Sequence, residues 1–251
     1  MLKVRIIPTL LYKEMGLVKG VAFDSWRPVG SLMQAIKVYN MREVDELIYL
    51  DITATEMKKS PDFELIDDFA DECFMPLTVG GGIKTIEDVR HLLEVGADKV
   101  AINTAAFLDP PLIREIANKF GSQCIVVSID VKKTNTNYEI YIESGTKSTG
   151  IDPVGFAKKV EALGAGEILL TSINRDGTMK GYDNNLTKMI SEAVSIPVIA
   201  SGGAGCYNHM LRVIVEGGAS AVAAASIFHF TQQTPIEAKQ YLHKFRINTR
   251  I

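Results

Sequence analysis

The chain has 251 residues, a length that suits one large domain or two small ones. Its 47% hydrophobic and 23% charged residues are typical of a globular protein with a sizeable core. The net charge of −3 gives no indication of a nucleic-acid or anionic-membrane partner. The apolar runs are too short for a membrane span or a signal peptide, and the three cysteines are too dispersed for a disulfide framework or a metal site. We therefore expect a cytoplasmic protein.

Short runs rich in β-branched residues recur along the chain, and most are apolar throughout, as in strands buried on both faces of a parallel sheet. Amphipathic segments such as 85–97 and 152–166 lie between them. This alternation of strands and helices predicts a single (β/α)8 TIM barrel over residues 1–251, with an open doubly wound sheet as the competing fold. The eight predicted strands span residues 4–10, 46–52, 75–79, 99–103, 124–130, 167–173, 196–201 and 221–226.

The chain contains an internal repeat, in which residues 75–107 align with residues 196–228. Each copy reads as a strand, a glycine-rich loop, a helix, a second strand and a turn of small residues. Gly81-Gly82 in the first copy correspond to Gly202-Gly203 in the second. Two copies half a chain apart predict two half-barrels related by a pseudo-twofold axis.

The repeat also predicts two phosphate sites at the catalytic end of the barrel. Glycine lets the backbone approach an anion, and the N–H groups of a following helix point towards it. Gly82 with Asn103-Thr104 would form one site, and Gly203 with Ser226 the other. Two such sites fit a long bisphosphate ligand. The alternative is that these glycines only make tight turns.

Charged residues follow several predicted strands. Asp130 ends the fifth strand, where a carboxylate can serve as a general acid or base, or can simply cap a helix. Asp176, followed by Gly177, can orient substrate hydroxyls or form an Asx-turn. Lys19 is predicted on a short polar loop after the first strand, where it either meets a phosphate or is solvated. The most irregular stretches are 52–62, 131–150 and 174–186, which we expect to form long loops on the catalytic face.

Four charges of alternating sign lie near the starts of the first, second, fourth and sixth strands. Such residues would meet around the barrel axis, at the end opposite to the catalytic one. They can form a structural ion-pair cluster, which would be weak evidence for stability in itself, or a gate. The four residues are Arg5, Glu46, Lys99 and Glu167.

Motifs over essentially the full chain resemble those of the cyclase subunit of imidazole glycerol phosphate synthase. They include "RIIP", "LVKG", "PLTVGGGI", "GADKVAINTAA", "RDGT" and "IPVIASGGAG". The resemblance implies a (β/α)8 barrel that receives ammonia from a class I glutaminase partner. It also implies a bisphosphate ribonucleotide substrate, lyase and cyclase chemistry in histidine biosynthesis, and no metal or other cofactor.

The resemblance assigns roles to individual residues. Asp130 matches one of two catalytic carboxylates, and Asp98 matches a residue that faces the glutaminase. Arg5, Glu46, Lys99 and Glu167 match the charged ring at the ammonia entrance, which favours the gate over a plain ion-pair cluster. The substrate- and phosphate-binding matches are Lys19, Gly82, Asn103, Thr104, Asp176, Gly177, Gly203 and Ser226.

Two positions depart from the family pattern. Leu11 occupies the place of the second catalytic aspartate, and Asn174 replaces the first aspartate of "DRDGT". Leucine can neither take up nor deliver a proton, and loss of one general acid/base typically costs ~10²–10⁴-fold in rate. We therefore expect impaired cyclase activity.

The sequence also resembles a divergent branch thought to conduct ammonia for amidation of a sugar nucleotide in surface-polysaccharide biosynthesis. In that alternative, the entrance ring is retained, and the catalytic requirements at the other end of the barrel are less strict. A lone barrel isomerase fits less well, since it needs two working carboxylates and no ring.

Overall fold

The computed structural model describes residues 3–14, 16–135 and 137–250. Within them, the strands are β1 (Arg5–Lys13), β2 (Gly16–Val21), β3 (Asp24–Gly30), β4 (Leu47–Asp51), β5 (Leu77–Gly80), β6 (Lys99–Ile102), β7 (Ile125–Lys133), β8 (Tyr138–Ile142), β9 (Lys147–Ser148), β10 (Glu167–Ser172), β11 (Val198–Ser201) and β12 (Ala221–Ala224). The helices are α1 (Leu32–Met41), α2 (Phe63–Ala70), α3 (Ile86–Glu94), α4 (Thr104–Leu108), α5 (Pro111–Phe120), α6 (Pro153–Leu163), α7 (Asn184–Ser191), α8 (Tyr207–Val215), α9 (Ser226–Phe230) and α10 (Pro235–Lys244), with a 3-10 turn at Ser122–Cys124.

Eight parallel strands close into a barrel, in the order β1, β4, β5, β6, β7, β10, β11 and β12. Closure comes from the pairing of β12 with β1, in which Arg5 is opposite Ala221. Each of the eight predicted strands overlaps one of these, so the predicted (β/α)8 barrel is confirmed. The open doubly wound sheet is excluded, because such a sheet has two unpaired edges.

The barrel strands are buried on both faces, which explains their apolar sequences. On β1, Ile6 packs against the outer helices and Ile7 points into the barrel, and both are fully buried. The interior is filled by Ile7, Ile48, Val126, Leu169, Ile199 and neighbouring alanines. Because side chains alternate along a strand, the next inward residues of β1 are Thr9 and Leu11.

Local sequence signals set the helix boundaries. Thr85 and Asp88 form a capping box at the start of α3. Asp152 caps α6, Pro153 occupies its first turn, and Gly164 ends it with a φ of 104°. In the described part of the chain, no helix combines the length and the apolar sequence that crossing a membrane requires.

The two repeats have matching structures. β5, α3, β6 and α4 of the first copy correspond to β11, α8, β12 and α9 of the second. In both copies, the last strand runs into a five-residue helix with no side-chain hydrogen bond at its N-cap. The N–H groups of these two helix ends are therefore open towards the same end of the barrel.

Two predictions about loops are wrong. The segment after β1 is not a short polar loop but a β-hairpin, in which β2 pairs with both β1 and β3. The segment 131–150 is not irregular, because β7 continues to Lys133 and pairs with β8, which in turn pairs with β9. Both additions extend the barrel strands beyond its catalytic end.

Candidate functional site

A cavity of about 140 Å³ opens at the carboxyl ends of the barrel strands, and we call it the mouth. Residues from seven of the eight barrel strands line it, and β5 contributes through the loop that follows it. Every predicted catalytic or ligand-binding residue lies on its wall, although these residues are scattered between positions 19 and 226. They are Lys19, Gly82, Asn103, Thr104, Asp130, Asp176, Gly177, Gly203 and Ser226.

Asp130 lies deep in the mouth and is only 8% exposed. Asn103 donates a hydrogen bond from Nδ2 to Asp130 Oδ2 at 3.2 Å. Burial raises the pKa of the Asp130 carboxyl to about 7, the negative charge of Asp176 adds to this, and hydroxyl hydrogen bonds from Thr171 and Ser128 oppose it. An acid with this pKa can both take up and release a proton near neutral pH.

Leu11 lies on the wall of the mouth on β1, and it is 9% exposed. It pairs with Leu50 of β4 on one side and with Val18 of β2 on the other. The adjacent Leu10 points outwards into the main core. The inward position on β1 at this height is therefore apolar, and β1 contributes no carboxylate to the mouth.

Lys19 is part of β2 rather than of a loop, and it is buried instead of solvated. Its ammonium group lies 2.8 Å and 2.6 Å from the two carboxylate oxygens of Asp176. The backbone N–H of Ala22 also donates to the Asp176 carbonyl at 2.9 Å. Asp176 thereby holds the hairpin against the barrel, where Phe23 and Trp26 line the mouth.

The first predicted phosphate site has side chains that are already bonded within the chain. Thr104 Oγ1 donates to Asn103 Oδ1 at 3.2 Å and accepts from the Glu143 N–H at 3.0 Å. Gly82 has a φ of 74°, and a Cβ there would lie 2.8 Å from the Lys59 carbonyl oxygen. Glycine is needed here for close packing of the loop as well as for an open backbone.

The second predicted phosphate site has a free side chain. The Ser226 hydroxyl is buried and has no hydrogen-bond partner within the described residues. Gly203 has a φ of 111°, and a Cβ there would lie 2.2 Å from the Gly181 carbonyl oxygen. Because a buried hydroxyl without a partner is costly, Ser226 is well suited to bond a ligand at this end of the mouth.

The four charges at the opposite end of the barrel form a closed ring of ion pairs. Arg5 bonds Glu46 at 2.5 Å and Glu167 at 3.0 Å. Lys99 bonds the same two carboxylates, at 3.0 Å and 3.2 Å. Glu46 also accepts a hydrogen bond from Thr78 Oγ1 at 2.8 Å. The predicted proximity of these four residues around the barrel axis is confirmed.

Asp98 precedes Lys99 at the start of β6 and is exposed at the same end as the ring. One of its carboxylate oxygens accepts the backbone N–H of Leu77 at 2.8 Å. The residue thus joins the starts of β5 and β6 and remains accessible to a partner protein.

The profile of the family described as "Histidine biosynthesis protein" matches residues 5–234. The chain belongs to this family. Its members are TIM-barrel enzymes of histidine biosynthesis, either isomerases or cyclases. The family expected from the motifs is thus confirmed, whereas the cyclase role and the glutaminase partner stay predictions.

The second departure from the family motif lies outside the mouth. Asn174 is exposed, and its side-chain oxygen accepts the backbone N–H of Lys133 at 2.7 Å. An asparagine oxygen can make this loop contact as an aspartate would. Of the two departures, therefore, only Leu11 changes the lining of the mouth.

Reasoning from the sequence missed a set of hydroxyl groups in the inner part of the mouth. Each lies two residues beyond an interior apolar residue of the same strand, and that spacing is the signal that could have identified them. We call them the hydroxyl belt: Thr9, Ser128, Thr171 and Ser201.

Proposed function

We propose that this chain is the synthase subunit of a glutamine-dependent complex of the imidazole glycerol phosphate type. Ammonia released by a class I glutaminase enters at the charged ring and crosses the barrel. It reacts in the mouth with a bisphosphate ribonucleotide, in the chemistry of histidine biosynthesis. The closed ring of four ion pairs is the observation that carries this proposal.

The ring carries a desolvation cost that a purely structural element would not need. Glu46 is 2% exposed, and removing charges from water costs free energy that their attraction only partly returns. Apolar side chains would close this end of the barrel at least as well. A polar ring on the axis instead gives a small polar molecule a place to enter, which supports a role in ammonia passage.

The mouth has groups for the other substrate. The two glycine-rich loops and their helix ends would hold the two phosphates, with Ser226 as a free donor at one of them. In the reaction, the ammonia nitrogen would add to a carbonyl carbon of the substrate, the π-electron pair of the C=O bond would move to its oxygen, and the carboxylate of Asp130 would take the proton that the nitrogen sheds. Cyclisation also needs a proton delivered from the other side, and Leu11 cannot supply it.

The glutaminase partner would dock at the end of the barrel that carries the ring. Asp98 is exposed there, next to Lys99, and would contact it. Co-purification of the full chain with a class I glutaminase tests this step. Failure to bind any such enzyme would argue against an ammonia-dependent role and in favour of a barrel that acts alone.

Leu11 favours a second candidate function. With one acid/base group instead of two, the barrel would conduct ammonia and pass it on for the amidation of a sugar nucleotide in surface-polysaccharide biosynthesis. Passing ammonia on requires no second, opposed carboxylate in the mouth, so the loss of the carboxylate at position 11 would be tolerated. The ring and the partner surface would keep the same roles.

Turnover of the histidine-pathway ribonucleotide with ammonium chloride and no glutaminase tests the main proposal. We expect slow turnover by the native chain, a gain of at least about tenfold in Leu11→Asp, and loss in Asp130→Asn. No gain in Leu11→Asp would favour the sugar substrate. Native turnover within tenfold of a cyclase with both aspartates would contradict the impairment assigned to Leu11.

A further inference from the structure

We propose that Thr9 is the residue that receives ammonia at the inner end of the mouth and orients it towards Asp130. The inference rests on the proposed function, because it assumes that ammonia crosses the barrel. It adds a binding residue that neither the motifs nor the family match assigns. The proposal is based on two buried groups on the wall of the same cavity, the Thr9 hydroxyl on β1 and the Asp130 carboxylate on β7. The Thr9 hydroxyl has no hydrogen-bond partner among the described residues.

Thr9 lies on the inward face of β1, between the charged ring and the outer part of the mouth. Inward residues of β1 run from Arg5 in the ring through Ile7 to Thr9 and then Leu11. Thr9 therefore stands at the upper boundary of the apolar interior. A neutral molecule that moved up from the ring would pass the apolar side chains packed around Ile7, such as Ile48 and Val126, and would then reach the hydroxyl belt.

The hydrogen bonding of Thr9 differs from that of other members of the hydroxyl belt. It is 7% exposed, and its Oγ1 atom has no hydrogen-bond partner among the described residues. Two other members of the belt differ in this respect, since Ser128 and Thr171 donate to Asp130. A buried hydroxyl left without a partner is costly, whereas a methyl group of the same shape would be tolerated. Valine would therefore serve a purely structural role better than Thr9 does.

The chemistry of the belt fits ammonia. A threonine hydroxyl can accept an N–H of ammonia and leave the nitrogen lone pair free to attack. Hydroxyl groups are uncharged, so they do not convert ammonia into unreactive ammonium. When the nitrogen adds to a carbonyl carbon of the substrate, the π-electron pair of the C=O bond moves to its oxygen, the nitrogen sheds a proton, and the Asp130 carboxylate takes that proton. Leu11 above Thr9 contributes no polar group that would compete for ammonia.

Substitutions of Thr9 separate this role from a structural one. Thr9→Val removes the hydroxyl and keeps the shape, whereas Thr9→Ser keeps the hydroxyl. We expect Thr9→Val to melt at the same temperature as the native chain or higher. Thr187→Val is the matched control, because Thr187 is also buried but lies on α7 and bonds the Asp183 carbonyl. Thr9→Ala provides a second variant without the hydroxyl if Thr9→Val fails to fold.

The first measurement needs no acceptor substrate. The full chain, labelled with ¹³C at aspartate carboxyl groups, is titrated with ammonium chloride at pH 8.5 against matched sodium chloride, and Asp130→Asn assigns the signal. We expect a saturable shift of the Asp130 resonance that Thr9→Val weakens at least tenfold in apparent affinity and Thr9→Ser retains within threefold. An unsaturable shift in the native chain, or an equal response in Thr9→Val, would overturn the proposal.

The second measurement uses turnover with ammonium chloride. Thr9→Val should raise the KM for ammonium about tenfold and leave kcat within threefold, while Thr187→Val changes neither. Equal KM values for Thr9→Val and the native chain would refute the role of Thr9. Absence of any turnover by the native chain would count against the proposed function, and the carboxyl titration would still decide the role of Thr9.

Discussion

Lys19 and Asp176 bind each other on the wall of the mouth, with two N–O distances of 2.6 Å and 2.8 Å between residues 157 positions apart. Each was predicted to contact a ligand, which stays a prediction, and each is bonded to the other. The pair joins the hairpin to the loop after β10. An anionic ligand that reaches Lys19 must compete with a carboxylate already in place, so ligand binding and the position of the hairpin are coupled.

Removing the cation of this pair should destabilise the chain. Lys19→Met keeps most of the side-chain length but leaves the Asp176 carboxylate buried without its partner. We expect the free energy of unfolding in urea to fall by roughly 3 kcal/mol. The double variant Lys19→Met/Asp176→Leu should recover most of this loss, because an apolar pair carries no unpaired charge.

The control for that experiment is Lys188→Met. Lys188 pairs with Glu192 on the surface of α7 at 3.7 Å, and exposed pairs contribute little to stability. We therefore expect a clearly smaller change than in Lys19→Met. Equal effects of the two substitutions would mean that the buried pair contributes no more to stability than the exposed pair.

The two carboxylates of the ring should differ in their effect on stability. Glu46 accepts from Arg5, Lys99 and Thr78 and is the more buried, whereas among the described residues Glu167 bonds only the two cations. We expect Glu46→Gln to lower the free energy of unfolding by roughly 3 kcal/mol and Glu167→Gln by about 1 kcal/mol. Denaturation at pH 7 measures both, and a larger loss in Glu167→Gln would contradict this ranking.

Asp130 should make the stability of the chain depend on pH. Its pKa is raised from 3.8 to about 7 in the folded chain by burial, so the unfolded chain ionises first as the pH rises. Stability is therefore lost between about pH 4 and pH 7, and the full penalty is present above pH 7. At about 1.4 kcal/mol for each pKa unit, the penalty is roughly 4 kcal/mol at most.

The variant Asp130→Asn lacks this ionisation and isolates its effect. Unfolding free energies of the native chain and the variant are measured in urea from pH 4 to pH 8. We expect the variant to gain on the native chain as the pH rises, because contributions of the other groups cancel in the difference. A difference that stays constant across this range would show that Asp130 titrates normally.

The barrel fold and the residues that line the mouth could be predicted from the sequence because both follow from local rules. Buried parallel strands need continuous apolar runs, and the carboxyl ends of all barrel strands lie at one end. Residues such as Asp130 and Ser226 could therefore be placed together without knowing any long-range contact. The internal repeat also predicted that Gly82 and Gly203 occupy equivalent positions in the two halves of the barrel.

The hairpin was not predictable from the same rules. Its turn places Ala22 and Phe23 at positive φ values of 51° and 63°, where hairpins usually carry asparagine or glycine. Its second strand is mostly exposed, so it lacks the apolar alternation of a half-buried strand. The bond between Lys19 and Asp176 and the missing partner of Thr9 depend on three-dimensional contacts that no local pattern records.

Gly177 offers a direct test of how the hairpin packs over the mouth. It has a φ of 71°, and a Cβ there would lie 2.0 Å from the backbone oxygen of Gly20 on β2. Gly150 has the same φ of 71° but no atom within 4 Å of its Cβ position. Gly150→Ala therefore measures the backbone cost alone, about 1–2 kcal/mol, and Gly177→Ala adds the collision with the hairpin.

Trp26 reports the outcome, because it is the sole tryptophan of the chain and packs against Gly20 on the hairpin. We expect Gly177→Ala to shift its emission to longer wavelength and to increase quenching by acrylamide, since the hairpin moves away from the mouth into water. Gly150→Ala should leave both unchanged. Identical fluorescence in the two variants would mean that the loop after β10 shifts to relieve the steric clash and that the hairpin stays in place.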